Sequence, residues 1–213
     1  MTPFDLDAWL AGDPAAIRPV VQVGSAVLRS RAREVPAELV GTPSFLRLLD
    51  LMVETMREAP GVGLAAPQIG VPLRVFVAED PEERLRNAAP EALALRGRTP
   101  LPLTVFVNPT VTFDSKDQAT FYEGCLSVRG YGALVARASA VKVAASDALG
   151  RPFAARLEGW PARIMQHEND HLDGTIYVDR MISRSLACDG ELGRLGAMPV
   201  EEVMKELVRT PER

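Results

Sequence analysis

The stretch Gln166-His167-Glu168-Asn169-Asp170-His171-Leu172-Asp173-Gly174 decides how the chain is read. It closes a segment, from about Pro161 to Leu172, that predicts a helix. On a helix, residues four apart lie one above the other on the same face, so His167 and His171 can reach one metal ion. Glu168, next to the first histidine, then comes within reach of a water on that ion. The chain has 2 histidines, and both fall in this pattern. Two unrelated surface histidines would be the plain alternative, and that alternative leaves their spacing and the intervening Glu without a reason.

Two imidazoles do not hold a catalytic metal, so a third ligand is required. A downstream carboxylate, Asp179 or Glu191, would give the donor set of one class of metallopeptidase. Cys125 offers a thiolate instead, in Glu123-Gly124-Cys125-Leu126-Ser127, where Gly124 leaves the backbone room. A lone cysteine is more often a small buried hydrophobe. Cys188, in Ala187-Cys188-Asp189-Gly190, lacks the paired spacing of structural zinc motifs. As a fourth ligand it would close the site and make the metal structural. The residues alone leave the third ligand open.

Upstream stands Gly61-Val62-Gly63-Leu64-Ala65-Ala66-Pro67-Gln68. It lacks the Lys-Ser/Thr ending of a phosphate-binding loop. It suits a close approach of backbone to a ligand, followed by a carboxamide donor, Gln68.

Working outward, Thr42 to Glu58 predicts a helix with Phe45, Leu48, Leu49, Met52, Val53 and Met56 on one face. Thr42 or Ser44 can cap it, and Pro43 suits its first turn. Leu73–Val77, Leu103–Val107, Ala119–Tyr122, Val141–Ala145 and Phe153–Leu157 read as strands. The last two flank a hairpin turn at Asp147-Ala148-Leu149-Gly150. A final amphipathic helix is expected over Val200–Val208. Strands followed by helices, without βαβ alternation, indicate an α+β fold. We expect a single metallohydrolase domain over 1–213, with an N-terminal arm (1–17), a charged, Ala- and Pro-rich surface insertion (79–102) and a C-terminal helix and tail (199–213).

Composition sets the limits on function. Apolar residues make up 47% and charged ones 24%, and the net charge of −4 disfavours a duplex DNA binder. No apolar run approaches a membrane span, and the first residues lack the pattern of a signal peptide. Two cysteines in such a chain fit a reducing cytoplasm, which is the expected location.

The three segments GVGLAAPQ (61–68), EGCLS (123–127) and QHENDHLDG (166–174), in that order, resemble the peptide deformylase family. The wider resemblance runs from about Val20 to Arg180 and takes in Gly24 to Leu28 and Arg137. It implies mixed or antiparallel β-sheets packed around a central metal-binding helix, with an N-terminal and a C-terminal helix. By the same resemblance, Cys125, His167 and His171 are the metal ligands and Glu168 the general acid/base. Gln68 and the backbone N–H of Leu126 are the oxyanion donors. Gly61, Val62 and Gly63 bind substrate, Gly63 through its backbone, and Arg163 and Ile164 border the methionine pocket. The implied ion is Fe2+, with Zn2+ or Ni2+ able to take its place. The implied reaction is hydrolysis of the formyl group from N-formylmethionyl nascent peptides, met at the ribosome. Water is co-substrate and formate is released, with no DNA or membrane partner. Arg129, Ala136 and Asn169 depart from the family's pattern, which bears on the loop from Val128 to Ala136 rather than on the chemistry. Asp170 reads as a supporting carboxylate that anchors the helix or a ligating imidazole.

Overall fold

The computed structural model describes residues 4–12, 17–86 and 88–208. Residues 1–3 and 13–16 of the expected arm, position 87 of the insertion and 209–213 of the tail lie outside the described residues.

After a short helix α1 (Leu6–Gly12), α2 (Pro43–Glu58) begins where its sequence signals put it. The Thr42 hydroxyl accepts from the Phe45 amide at 3.3 Å, and Pro43 occupies the first turn. Strands β1 (Gly63–Ala65) and β2 (Val75–Asp80) follow, then the short helices α3 (Glu82–Leu85) and α4 (Pro90–Arg96). Next come β3 (Leu101–Phe113), β4 (Gln118–Cys125), β5 (Val128–Ala138), β6 (Ala140–Ser146) and β7 (Pro152–Glu158). Helix α5 (Gly159–Leu172), β8 (Ala187–Cys188), α6 (Asp189–Leu195) and α7 (Val200–Val203) complete the order.

The strands make two sheets, β1-β2-β3-β6-β7 and β4-β5-β8, with antiparallel neighbours throughout. Alternation along β2 shows how the larger sheet is covered. Val75 and Val77 face the apolar stripe of α2, with Leu48, Met52 and Met56. Phe76 instead joins Phe106, Val141 and Val143 against Ala162, Ile164 and Met165 of α5. Successive side chains point to opposite faces, so a strand covered on both reads as one unbroken apolar run. Helix α5 therefore lies between the larger sheet and the smaller one, which it meets at β5.

The α+β expectation holds, and the differences have local causes. Val128–Ala136, expected as a loop, is strand β5: its glycines and alanines carry little strand propensity, and pairing with β4 supplies what the sequence lacks. β1 and β8 are too short to show a period. The segment 79–102 is more than a surface insertion at its ends, because Asp80 is buried and Arg98 donates to both its oxygens at 2.7 and 2.9 Å. The last helix is α-helical only over Val200–Val203 and continues as a wider π turn through Val208. Among the described residues, no helix is long and apolar enough to cross a membrane.

Candidate metal centre

One turn of α5 separates His167 from His171, and β4 delivers Cys125 to meet them. The donor atoms of these three residues lie within 4.8 Å of one another, with Cys125 Sγ 3.2 Å from His171 Nε2. A thiol and two imidazoles converging at this range fit a divalent first-row ion, and three protein donors leave a coordination position open. The downstream alternatives are engaged elsewhere. The Asp179 carboxylate caps the Ile176 amide and pairs with Arg29, Glu191 pairs with Arg194, and Cys188 is exposed on β8.

Glu123 orients the centre, a role that sequence reasoning did not assign. Its carboxylate accepts from His167 Nδ1 at 3.0 Å, which turns the other ring nitrogen towards the cluster. It also accepts two bonds from Arg137, both 2.9 Å, and one from Arg163. Arg137 reaches on to Asp170, which Arg180 holds from the other side with two bonds of 2.7 Å. Asp170 thus anchors the helix, in line with the supporting role expected of it. Burial works against the charge on Glu123, but Arg137 and His167 outweigh it and hold the carboxyl well below its ordinary range. His167 is likewise opposed by burial, yet its bonds to Cys125 and Glu123 hold it well above the ordinary imidazole value. His171 lies well below that value through burial and the adjoining positive charges of His167 and Arg137.

Glu168 is almost fully buried, and burial pushes its carboxyl up to about 7. Its Oε2 has no hydrogen-bond partner among the described residues. Gly63 lies against it: a β-carbon at that position would stand 2.3 Å from Glu168 Oε1. The glycine is required here by close approach and not by an unusual backbone angle. Gln68 is fixed end to end. Its Oε1 accepts from the Ala65 amide at 2.8 Å, so its Nε2 points to Ser127 Oγ (3.4 Å) and Cys125 Sγ (3.6 Å). The peptide of Leu126 is held from outside, where its carbonyl accepts from Gln22 Nε2 at 3.0 Å.

A cavity of about 600 Å³ opens onto the cluster, and Gly61, Val62, Gly63, Leu126 and Ile164 line it. Arg163 is also in its wall, but the guanidinium is committed to Glu123 and to the carbonyls of Val135 and Ala119. Trp160, not singled out from the sequence, completes this part of the wall. All eleven residues expected at the site therefore gather at one place, from segments as far apart in sequence as Gly61 and His171.

Comparison with known proteins bears on this arrangement. The family model described as polypeptide deformylase matches residues 17–186. Peptide deformylase 1 of Streptomyces coelicolor is 47% identical over 181 residues, covering 85% of this chain and 81% of that protein. The Arabidopsis thaliana protein named peptide deformylase 1A, chloroplastic/mitochondrial, is 46% identical over 78% of this chain. The chain spans 62% of that relative's length and 61% of its tomato counterpart's. The class I type b peptide deformylase of Acinetobacter baumannii, solved with Met-Ala-Ser bound, superposes with a TM-score of 0.69 at 34% identity. That alignment covers 78% of this chain and 98% of that one.

Proposed function

The chain belongs to the polypeptide deformylase family, and from that premise we propose that it hydrolyses the formyl group from the N-terminal N-formylmethionine of newly made polypeptides, releasing formate. The observation that carries this reading is the convergence of Cys125, His167 and His171 beside a buried Glu168, on one apolar-walled cavity. The Met-Ala-Ser peptide held by the Acinetobacter relative supports the same class of ligand.

Cys125, His167 and His171 would hold the ion, which when bound supplies Lewis-acid polarisation and an activated water at neutral pH. We assign it as Fe2+, with Zn2+ and Ni2+ as alternative occupants of the same donors. Glu168 takes a proton from the attacking water and returns it to the departing nitrogen. A carboxyl with a pKa near the working pH suits both halves of that task. The amide of Gln68 and the N–H of Leu126 receive the charge that grows on the formyl oxygen. Donors already fixed in place need no reorganisation at that moment. Val62, Ile164 and Trp160 present an apolar wall to the methionine side chain. One methylene in such a pocket is worth about 1–3 kcal/mol, so norleucine should serve nearly as well as methionine.

We read residues 1–213 as one metallohydrolase domain acting in the cytoplasm on chains leaving the ribosome. The acidic balance of the chain supports a peptide substrate over a nucleic acid. The test is anaerobic purification, metal analysis and a formate-release assay on formyl-Met-Ala-Ser. One ion per chain with formate release supports the proposal, and a loaded protein that leaves the peptide formylated overturns it.

A further inference from the structure

The chain continues beyond residue 186, where the family match ends, and the continuation returns to the wall of the cavity. β8 extends the smaller sheet by pairing Ala187 with Gly132 and Cys188 with Tyr131. The chain then folds back as α6, held down by Leu195 and, further on, Val203, both buried in a cluster with Leu134. This return brings Leu192 to the cavity beside Tyr122 and Tyr131. The seat is close-fitting: a β-carbon on Gly132 would lie 3.0 and 3.1 Å from the terminal carbons of Leu192. A side chain there would also stand 2.9 Å from the Glu123 carbonyl, so glycine leaves room both for the pairing with β4 and for Leu192. Tyr122 packs into the same cluster as Leu192, while Tyr131 is 50% exposed. Leu192 and the two rings form a largely apolar ledge, continuous with the cavity that opens onto Cys125 and His167.

We propose that this ledge is a specificity-determining surface for a substrate side chain downstream of the formylated methionine, and that Leu192 makes an apolar side chain preferred there. The proposal rests on the deformylase reading. Continuity with the catalytic cavity names the occupant. With the methionine side chain assigned to Val62, Trp160 and Ile164, the rest of the cavity is left to the residues that follow it in the same extended peptide.

The test compares kcat/KM for formyl-Met-X-Ser and formyl-Met-Ala-X, with X either Leu or Ser. At one of the two positions the parent protein should favour Leu by roughly three- to tenfold, the scale of a half-buried leucine contact. Leu192→Ala should bring that ratio to about one, chiefly through KM, as expected for binding that does not change on the way to the transition state. Leu192→Met, which keeps the apolar volume, should retain the preference. Each ratio is taken within one preparation, so a partly unfolded fraction cancels. A parent without preference at either position, a ratio that survives Leu192→Ala, or one that Leu192→Met also abolishes would each overturn the proposal. Failure of the parent to release formate from any of the four peptides would sink the deformylase reading itself, a distinguishable result.

Discussion

Cys125→Ser keeps the size of the side chain and removes the thiolate, and a hydroxyl is a poor donor to a first-row divalent ion. Metal content of the purified variant should fall well below one ion per chain. Cys188→Ser should leave it unchanged, since Cys188 is exposed on β8 and takes no part in the cluster. The reverse pattern would transfer the ligand role to Cys188. Glu168→Gln separates the proton from the ion: all three donors remain, so metal content should hold while turnover falls by on the order of 10²–10⁴. A variant with full metal and the parent rate would refute the role given to Glu168. At this scale the site is legible wherever its residues share a segment, because a helical interval or a short motif can be read from spacing alone. The histidines and Glu168 stand out for that reason. Glu123 sat within a quoted motif, yet its task was hidden. That task depends on Arg137 and His167, fourteen and forty-four residues away, which only the pairing of β4 with β5 and the packing of α5 bring to it. The carboxylates Asp179 and Glu191 stayed open as ligands for the matching reason: reach is a property of the fold.

Among the elements, α5 depends on charges as much as on its apolar face. Arg137, from β5, is bonded to Glu123 on β4 and to Asp170 on α5, with all three side chains buried. Removing one member of a buried ionic network leaves the others desolvated and unpaired, which costs about 3–5 kcal/mol. Arg137→Met should lower unfolding stability by that order in a urea titration, with the midpoint moving and the slope unchanged. A loss under ~1 kcal/mol would show that water relieves the stranded carboxylates. Elements with a strong period were legible, as α2 shows: its stripe, its Thr42 cap and its Pro43 all match the structure. β5 was not, since Gly130 and Gly132 interrupt any alternation and its stability comes from partners on both edges. The glycine that obscures the strand at Gly132 is the one that seats α6.

For the molecule as a whole, the placement of the donors matters more than their identity. Cys125 belongs to the smaller sheet, and the histidines belong to a helix packed chiefly on the larger one. An ion bound by all three adds a tie between two layers that also meet through side-chain packing, the Glu123–Arg137 network and the two hydrogen bonds of the Gln166 carboxamide with the Ala138 backbone. Binding to the folded state alone stabilises it by about 2.7 kcal/mol at a free concentration 100-fold above Kd. For a chain of this size each kcal/mol is worth roughly 2–4 °C in Tm. Chelation should therefore lower the melting temperature by several degrees, whereas Cys125→Ser should melt at one temperature with or without chelator. A parent protein whose Tm ignores the chelator would show that the layers hold without the tie. The position of the tie also has a consequence for the life of the protein in a cell. Proteases attack molecules that open, so on the proposed reading a copy that lost its ion would be both inactive and more exposed to proteolysis. Spent enzyme would then be cleared without any signal beyond its own loosened layers, and the surviving population would stay enriched in copies able to turn over.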